Sequence, residues 1–261
     1  MIKRTILTVF VAVFCLSYSY GNEATNDVGV VQLLTNSMDL PSGGGYLLTI
    51  PGMGLIYCDE GVLFPLDTIK CPDIENVYLK QNVYYDDIIS SDGRLFVKSG
   101  NSVLLLDQEN THAVVQFDTD FFQLYSGCNN HLNVAVLEDN GYWVWYEISI
   151  LNYELSSKLA FSKPIIKIID VGSSVICVTE DIIYIYDGEQ LIEYVESSDI
   201  IIDAIFTSEG LFFCTDNALY LVDNNGEMSS LAELPMFSLY HDEGTVYIVL
   251  QNGDIYRMSL Y

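Results

Sequence analysis

Six copies of one short pattern run along this chain of 261 residues and leave few choices of fold. Each copy joins two apolar runs through a polar turn, and most copies end with an acidic residue. The copies recur at steps of 35 to 41 residues. A period of this size indicates supersecondary units that are stacked or arranged in a ring, each too small to bury its apolar face alone. The copies begin at Leu55, Leu95, Val134, Val175, Leu211 and Val246.

Each copy is predicted to be a β-hairpin. Its apolar runs are rich in Val, Ile, Leu, Phe and Tyr, and its turns hold Asp, Asn and Gly, as at Asn140 and Gly141. An Asn-Gly pair tolerates the backbone φ values that a tight hairpin needs. A third apolar run precedes each hairpin, and a weaker, more polar run follows most of them. The unit is therefore four antiparallel strands whose polarity rises toward the last, which is typical of a propeller blade with a solvated outer strand.

The two ends of the chain suggest how such a ring would close. The sixth repeat stops after its third strand, whereas residues 28–34 are strand-like and belong to no repeat. An N-terminal strand that completed the last blade would remove an open sheet edge. We therefore predict an all-β fold, a six-bladed β-propeller of four-stranded antiparallel blades whose ring is closed by an N-terminal strand, with residues 22–261 forming a single domain.

The repeats resemble those of the β-propeller repeat superfamily, in its WD40-like and PQQ-repeat-like branches. An acid closes the third strand where a WD repeat carries its terminal Asp, although the preceding Trp and the Gly-His pair are absent. Residues 183–195 and 219–231 are similar to PQQ-type repeats without their outer-strand Trp. The resemblance covers residues 28–261 and implies an architecture without a specific functional family, since one fold carries many functions. The acids are Asp67, Asp107, Glu147, Asp187 and Asp223.

Residues 1–21 have the layout of a secretory signal peptide. Lys3 and Arg4 precede an apolar run over residues 5–16, and small residues follow up to Gly21. This order is typical of a cleaved export signal, and the run is shorter than the ~18 residues of a membrane span. We expect cleavage after Gly21 and a secreted or periplasmic protein with no membrane span in its mature part. An uncleaved signal anchor is the alternative.

The charge of the chain narrows the choice of partners. It has 36 Asp plus Glu against 10 Lys plus Arg, for a formal net charge of −26. Such a surface repels nucleic acid and anionic lipid. A basic protein partner, a divalent cation or solubility alone would account for it.

The sequence offers little that points to catalysis. It contains no HExxH and no G-x-S-x-G, and its three histidines, His112, His131 and His241, fall in different repeats. No closely spaced Cys or His pairs of the kind that bind zinc occur. No catalytic residue, metal or cofactor is therefore predicted. Paired carboxylates for glycosidic cleavage stay open, because their separation is a property of the folded chain.

One set of polar residues is predicted to share a place in the fold. In a propeller the first strands of the blades surround the central channel. Aligning these strands places a polar residue in the middle of five of them, with Leu47 in the first. The set could hold a small polar ligand or a cation, or simply line a water-filled channel. The candidates are Asp87, Gln123, Lys167, Asp203 and Ser238.

Together these patterns favour a non-catalytic role. The expected function is that of an exported protein-protein interaction or scaffold module with a possibly basic partner, supported by the acidic surface, the missing catalytic motifs and 19 tyrosines. The alternative is a ligand- or carbohydrate-binding propeller that uses the mouth of the channel and could be carbohydrate-active.

Overall fold

The computed structural model describes residues 31–35, 46–50, 54–59, 62–65, 87–106, 111–242 and 244–260. Within these residues the fold is a β-propeller built from 23 strands in six antiparallel sheets. Each predicted hairpin is present as two paired neighbouring strands, so the pattern of alternating apolar runs and polar turns is confirmed. The predicted signal peptide, Asp67 and Asp107 lie outside the described residues.

Five of the sheets have four strands, and the first repeat contributes a sheet of three. The three are β2 (Tyr46–Ile50), β3 (Gly54–Asp59) and β4 (Val62–Pro65). The second repeat forms β5 (Asp87–Ser91), β6 (Arg94–Ser99), β7 (Ser102–Leu106) and β8 (Thr111–Gln116). The third forms β9 (Phe122–Ser126), β10 (His131–Leu137), β11 (Trp143–Ser149) and β12 (Leu155–Phe161). The fourth forms β13 (Ile165–Asp170), β14 (Val175–Thr179), β15 (Ile182–Tyr186) and β16 (Leu191–Glu196). The fifth forms β17 (Ile201–Thr207), β18 (Gly210–Thr215), β19 (Ala218–Asp223) and β20 (Met228–Glu233).

The last repeat forms β21 (Met236–Asp242), β22 (Thr245–Leu250) and β23 (Ile255–Ser259), and β1 (Val31–Thr35) pairs antiparallel with β23. The prediction of six four-stranded blades is corrected to five. The first repeat has only three strands in the described residues, because residues 66–86, where its fourth strand was expected, lie outside them.

A β-bulge recurs on the outer strand of the blades. In the pairing of β7 with β8, β11 with β12, β15 with β16 and β19 with β20, one residue of the outer strand has no partner. A bulge bends the strand and interrupts its ladder, which protects an outer edge from pairing with another chain. The extra residues are Val114, Lys158, Tyr194 and Leu231.

The chain divides into two compact units, one of Met1–Gly43 with Ile205–Tyr261 and the other of Gly44–Ala204. In the second unit, one core cluster joins the second and third blades through Phe96, Phe122 and Leu132. Another joins the third and fourth blades around Trp145, which is 1% exposed. Both clusters form because alternate residues of a strand point to opposite faces of its sheet, so each blade packs against a neighbour on either side.

Candidate functional site

Four of the five channel candidates lie in the unit Gly44–Ala204, on the first strands of successive blades. Strand β9 contacts β5 on one side and β13 on the other. Asp87 begins β5, Gln123 lies on β9 and Lys167 lies on β13. Asp203 is close to Lys167, as described below. Together with Lys98 and Tyr125, these four residues are called the inner-strand cluster.

Lys167 and Asp203 form an ion pair. Lys167 Nζ lies 3.0 Å from Asp203 Oδ1, and the side chains are 32% and 10% exposed. The backbone N–H of Ala204 also donates to Asp203 Oδ1, at 2.8 Å. The carboxylate is therefore buried with two donors, whereas the ammonium group keeps a solvent-facing side.

Tyr125 connects the third and fourth blades. Its hydroxyl contacts Gln123 Oε1 and lies 2.9 Å from the carbonyl oxygen of Ile165. A hydroxyl has one proton, so it donates to one of these oxygens, and a turned Gln123 amide can donate to it in return. Burial, followed by the negative charges of Asp87 and Asp203, raises the pKa of Tyr125 well above its ordinary value. The side chain therefore stays a neutral hydrogen-bonding group.

Lys98 was missed by the sequence analysis. It lies directly opposite Asp87 in the ladder of β5 and β6, so the two side chains share one face of the sheet. Its ammonium group donates to the backbone carbonyl oxygen of Phe122 at 3.0 Å. It also lies 4.8 Å from the centre of the Phe122 ring. Only the first strands were aligned for polar residues, and Lys98 is on a second strand.

The remaining first-strand positions differ from this set. Leu47 lies on β2 and is 5% exposed. Ser238 lies on β21, half-buried, in the other compact unit. The inner-strand cluster is therefore defined without these two residues.

A second candidate site is a surface at one end of the blades in the unit Gly44–Ala204. In an antiparallel blade, the turn from the second to the third strand and the connection to the next blade lie at the same end. Phe121, Tyr142 and Ile200 occupy such loops and are 64%, 48% and 66% exposed. We call these residues and the acids of the same loops the acidic end surface.

Hydrogen bonds hold the three apolar side chains on ordered turns. The backbone N–H of Phe121 donates to Thr119 Oγ1 at 3.0 Å, and that of Leu137 donates to the Phe121 carbonyl oxygen at 2.9 Å. The N–H of Tyr142 donates to Asn140 Oδ1 at 2.9 Å. The backbone N–H of Ile201, the residue after Ile200, donates to the carbonyl oxygen of Glu180 at 2.8 Å. The surface is therefore ordered before any partner binds.

The loops at this end, between residues 99 and 200, carry seven acids and one lysine. The lysine is Lys163, which is paired with Asp181, and that hydrogen bond raises the pKa of the lysine. The surface thus has a negative field around exposed apolar side chains. The acids are Asp118, Asp120, Glu138, Asp139, Glu180, Asp181 and Asp199.

Two further observations apply only to the residues that the structure describes. No group of three or more His, Cys, Asp or Glu side chains there is placed to hold a metal ion. That part of the chain also contains no helix with the length and apolar character needed to cross a membrane.

Comparison with known proteins supports the fold class. No protein-family model matches the chain, and no curated protein matches it. Among solved structures, it is similar to a catalytically inactive virginiamycin B lyase from Staphylococcus aureus with quinupristin. The TM-score is 0.58 and the identity 11%, over 85% of this chain and 83% of that chain.

The chain is also similar to regucalcin, a calcium-binding protein from Agrobacterium tumefaciens. Here the TM-score is 0.53 and the identity 11%, over 84% of this chain and 86% of that chain. The designed protein Ika8 gives a TM-score of 0.51 at 11% identity, over 84% and 69% of the two chains. At such identities the likeness shows the fold alone, which is that of a β-propeller.

Proposed function

We propose that this protein is an exported, non-catalytic β-propeller that acts as a protein-protein interaction or scaffold module. The observation that carries the proposal is the acidic end surface, where Phe121, Tyr142 and Ile200 project from ordered turns among seven acids. Exposed aromatic and aliphatic side chains supply binding energy when a partner covers them. The surrounding carboxylates attract and orient a basic partner. The partner therefore carries Lys or Arg around an apolar contact.

Export is part of the same proposal. The basic, apolar and small-residue segments of residues 1–21 support it. In this reading the protein meets its partner in a periplasm or outside the cell, and its net charge keeps it soluble there.

We also propose that the N-terminal strand β1 closes the propeller by serving as the fourth strand of the last blade. The antiparallel pairing of β1 with β23 supports this proposal, and so does a break in the register of that pairing. Leu34 is an extra residue on β1, between the pairs that Leu33 and Thr35 make with β23. The outer strands of the other blades carry a bulge in the same way.

A pull-down from the native host tests the interaction proposal. The full chain with a C-terminal tag is compared with a variant carrying Phe121→Ser, Tyr142→Ser and Ile200→Ser. We expect the wild type to retain a basic protein in stoichiometric amount and to release it as salt screens the carboxylates. The triple variant should lose that protein. A matched control carries Leu151→Ser and Leu155→Ser, which are 72% and 41% exposed in the wild type and lie at the other end of the third blade.

Equal capture by the wild type and the triple variant would contradict the proposal. So would loss of the partner in the control variant alone, because the contact would then lie at the other end. Capture that is insensitive to salt would contradict the electrostatic attraction of the partner by the carboxylates. The apolar contact through the three exposed side chains would still stand.

The second candidate function is binding of a small ligand at the inner-strand cluster. Two observations favour it: Lys167 and Asp203 form an ion pair across neighbouring blades, and the buried Tyr125 contacts Gln123 and lies in the field of Asp87 and Asp203. Such convergence of polar groups is typical of ligand sites. Neither the lyase nor the calcium-binding neighbour brings an activity to this chain at 11% identity.

A further inference from the structure

We propose that the inner-strand cluster binds an uncharged, polyhydroxylated small molecule of the saccharide class. The inference rests on the second candidate function and adds the chemistry of the ligand. It is independent of the acidic end surface, which uses none of the same residues.

The balance of charge in the cluster is the first argument. Two carboxylates, Asp87 and Asp203, are accompanied by two ammonium groups. Lys167 is 3.0 Å from Asp203, and Lys98 lies opposite Asp87 in the strand ladder. A charged ligand has to compete with counter-ions that are already in place, so it gains little over water. The −26 charge of the chain also repels anionic ligands.

The hydrogen-bonding capacity of the cluster is the second argument. The Gln123 amide offers donors and an acceptor, the Asp87 carboxylate only accepts, and the Lys167 ammonium group only donates. These three groups lie on neighbouring strands, β5, β9 and β13. A hydroxyl group both donates and accepts, so a row of hydroxyls on one ring can satisfy all three kinds of partner. A ligand with a single kind of polar group cannot.

The distribution of burial separates the roles in the cluster. Gln123 is exposed, Asp87 is half-buried and the Lys167 side chain is 32% exposed, so these three can touch a ligand. Tyr125 and Asp203 are buried. Tyr125 holds Gln123 and Asp203 holds Lys167, which makes both positioning residues.

Matched sugars that differ only in charge test the proposal. Glucose, glucosamine and glucuronic acid, with the corresponding galactose and mannose series, are titrated against the full chain by ligand-observed NMR. The titrations are run at about pH 6, where amines are protonated and carboxyls ionised. In at least one series we expect the neutral sugar to bind saturably and at least about tenfold more tightly than both charged forms. Gln123→Ala should abolish that binding.

Two further variants sharpen the result. Lys158→Met removes a lysine that is also ion-paired, with Glu147 at 2.6 Å, but lies outside the cluster, so binding should be unchanged. Asp203→Asn releases the charge of Lys167, and the preference should shift toward the uronic acid. If Asp203 had a merely structural role, Asp203→Asn would weaken the binding of all three sugars equally.

Three outcomes would overturn the proposal. Tighter binding of an amino sugar or uronic acid by the wild type would refute the neutral class and leave ligand binding intact. Binding that survives Gln123→Ala would place the ligand elsewhere. No saturable binding of any sugar would overturn this inference, while the protein-binding proposal would stand on its own test.

Discussion

At the residue scale, Asn133 is a buried polar group that connects two blades. It is 0% exposed. Its Oδ1 accepts a hydrogen bond from Trp145 Nε1 at 2.9 Å, and its Nδ2 donates to Asp170 Oδ2 at 3.2 Å. Asp170, on the fourth blade, also accepts from the backbone N–H of Cys128, at 3.0 Å. The side-chain amide of Asn133 therefore supplies the hydrogen-bond acceptor for the buried indole N–H of Trp145.

Replacing Asn133 should be costly. Asn133→Leu keeps the volume but leaves the indole N–H of Trp145 buried without a partner and takes a donor from Asp170. We expect the free energy of unfolding to fall by about 2 to 4 kcal/mol, since each buried group left unsatisfied costs about 1 to 3 kcal/mol. Urea denaturation measures this. Ser156→Ala, at an exposed position on β12, is the control and should stay within about 0.5 kcal/mol of the wild type. An unchanged midpoint for Asn133→Leu would contradict the network.

A second residue makes stability depend on pH. Among the residues that the structure describes, His241 Nε2 is buried and has no hydrogen-bond partner. Burial lowers the pKa of this side chain, against a smaller opposing effect of Asp242. Since the folded pKa is below the unfolded value, the unfolded chain binds more protons as pH falls through about 6.5. His241 therefore contributes no penalty above that pH and destabilises the fold below it.

The test compares the pH dependence of unfolding in the wild type and in His241→Gln. Between about pH 7.5 and pH 5, the wild type should lose more stability than the variant, whose side chain does not titrate. The two proteins are compared by the slope of the free energy of unfolding against pH, because titration of the carboxylates changes the stability of both proteins equally. Parallel curves would show that His241 can be protonated in the folded protein without cost.

At the element scale, the turn between β9 and β10 is held from both sides. Ser91 Oγ of the second blade lies 3.1 Å from the carbonyl oxygens of Gly127 and His131 and accepts from the N–H of Gly127, also at 3.1 Å. Asp170 of the fourth blade holds Cys128. Three successive blades are thus joined at one turn.

This close approach requires a glycine at position 127. A Cβ there would lie 2.3 Å from the carbonyl oxygen of His131, a backbone atom that cannot rotate away. We expect Gly127→Ala to reduce the free energy of unfolding by about 1 to 3 kcal/mol, the usual cost of overpacking. Ser173→Ala, in the corresponding turn of the fourth blade, is exposed and serves as the control. Equal thermal midpoints for the two variants would mean that the turn can shift.

The elements also show what sequence patterns reveal. The hairpins could be predicted because alternation of apolar residues and Asn-Gly turns are local properties. The bulges of the outer strands could not, since an extra residue such as Lys158 or Tyr194 appears only in the register with a partner strand. The apolar run that precedes the third hairpin starts at Phe121, but β9 begins at Phe122, which is 2% exposed while Phe121 is 64% exposed. That exposure depends on how the blade meets its neighbours.

At the scale of the whole molecule, the repeat period was sufficient to predict a β-propeller, while the number of four-stranded blades was overestimated. Aligning first strands also selected Asp87, Gln123, Lys167 and Asp203, which lie on the first strands of successive blades because equivalent positions in a repeat occupy equivalent places in space. Their role as a binding site stays a prediction. The alignment missed Lys98, and it did not single out Tyr125, whose hydroxyl contacts Gln123. The acidic end surface has no periodic signature, because it is assembled from loops of different lengths.

Site-specific photo-crosslinking in the native host tests the proposal that the protein binds a basic partner through the acidic end surface. A benzophenone amino acid replaces Phe121, Tyr142 or, as the control at the other end of the third blade, Leu151, which is 72% exposed. We expect one crosslinked protein, rich in Lys and Arg, from positions 121 and 142 and none from position 151. A crosslink from position 151 alone, or none from the first two positions, would contradict it.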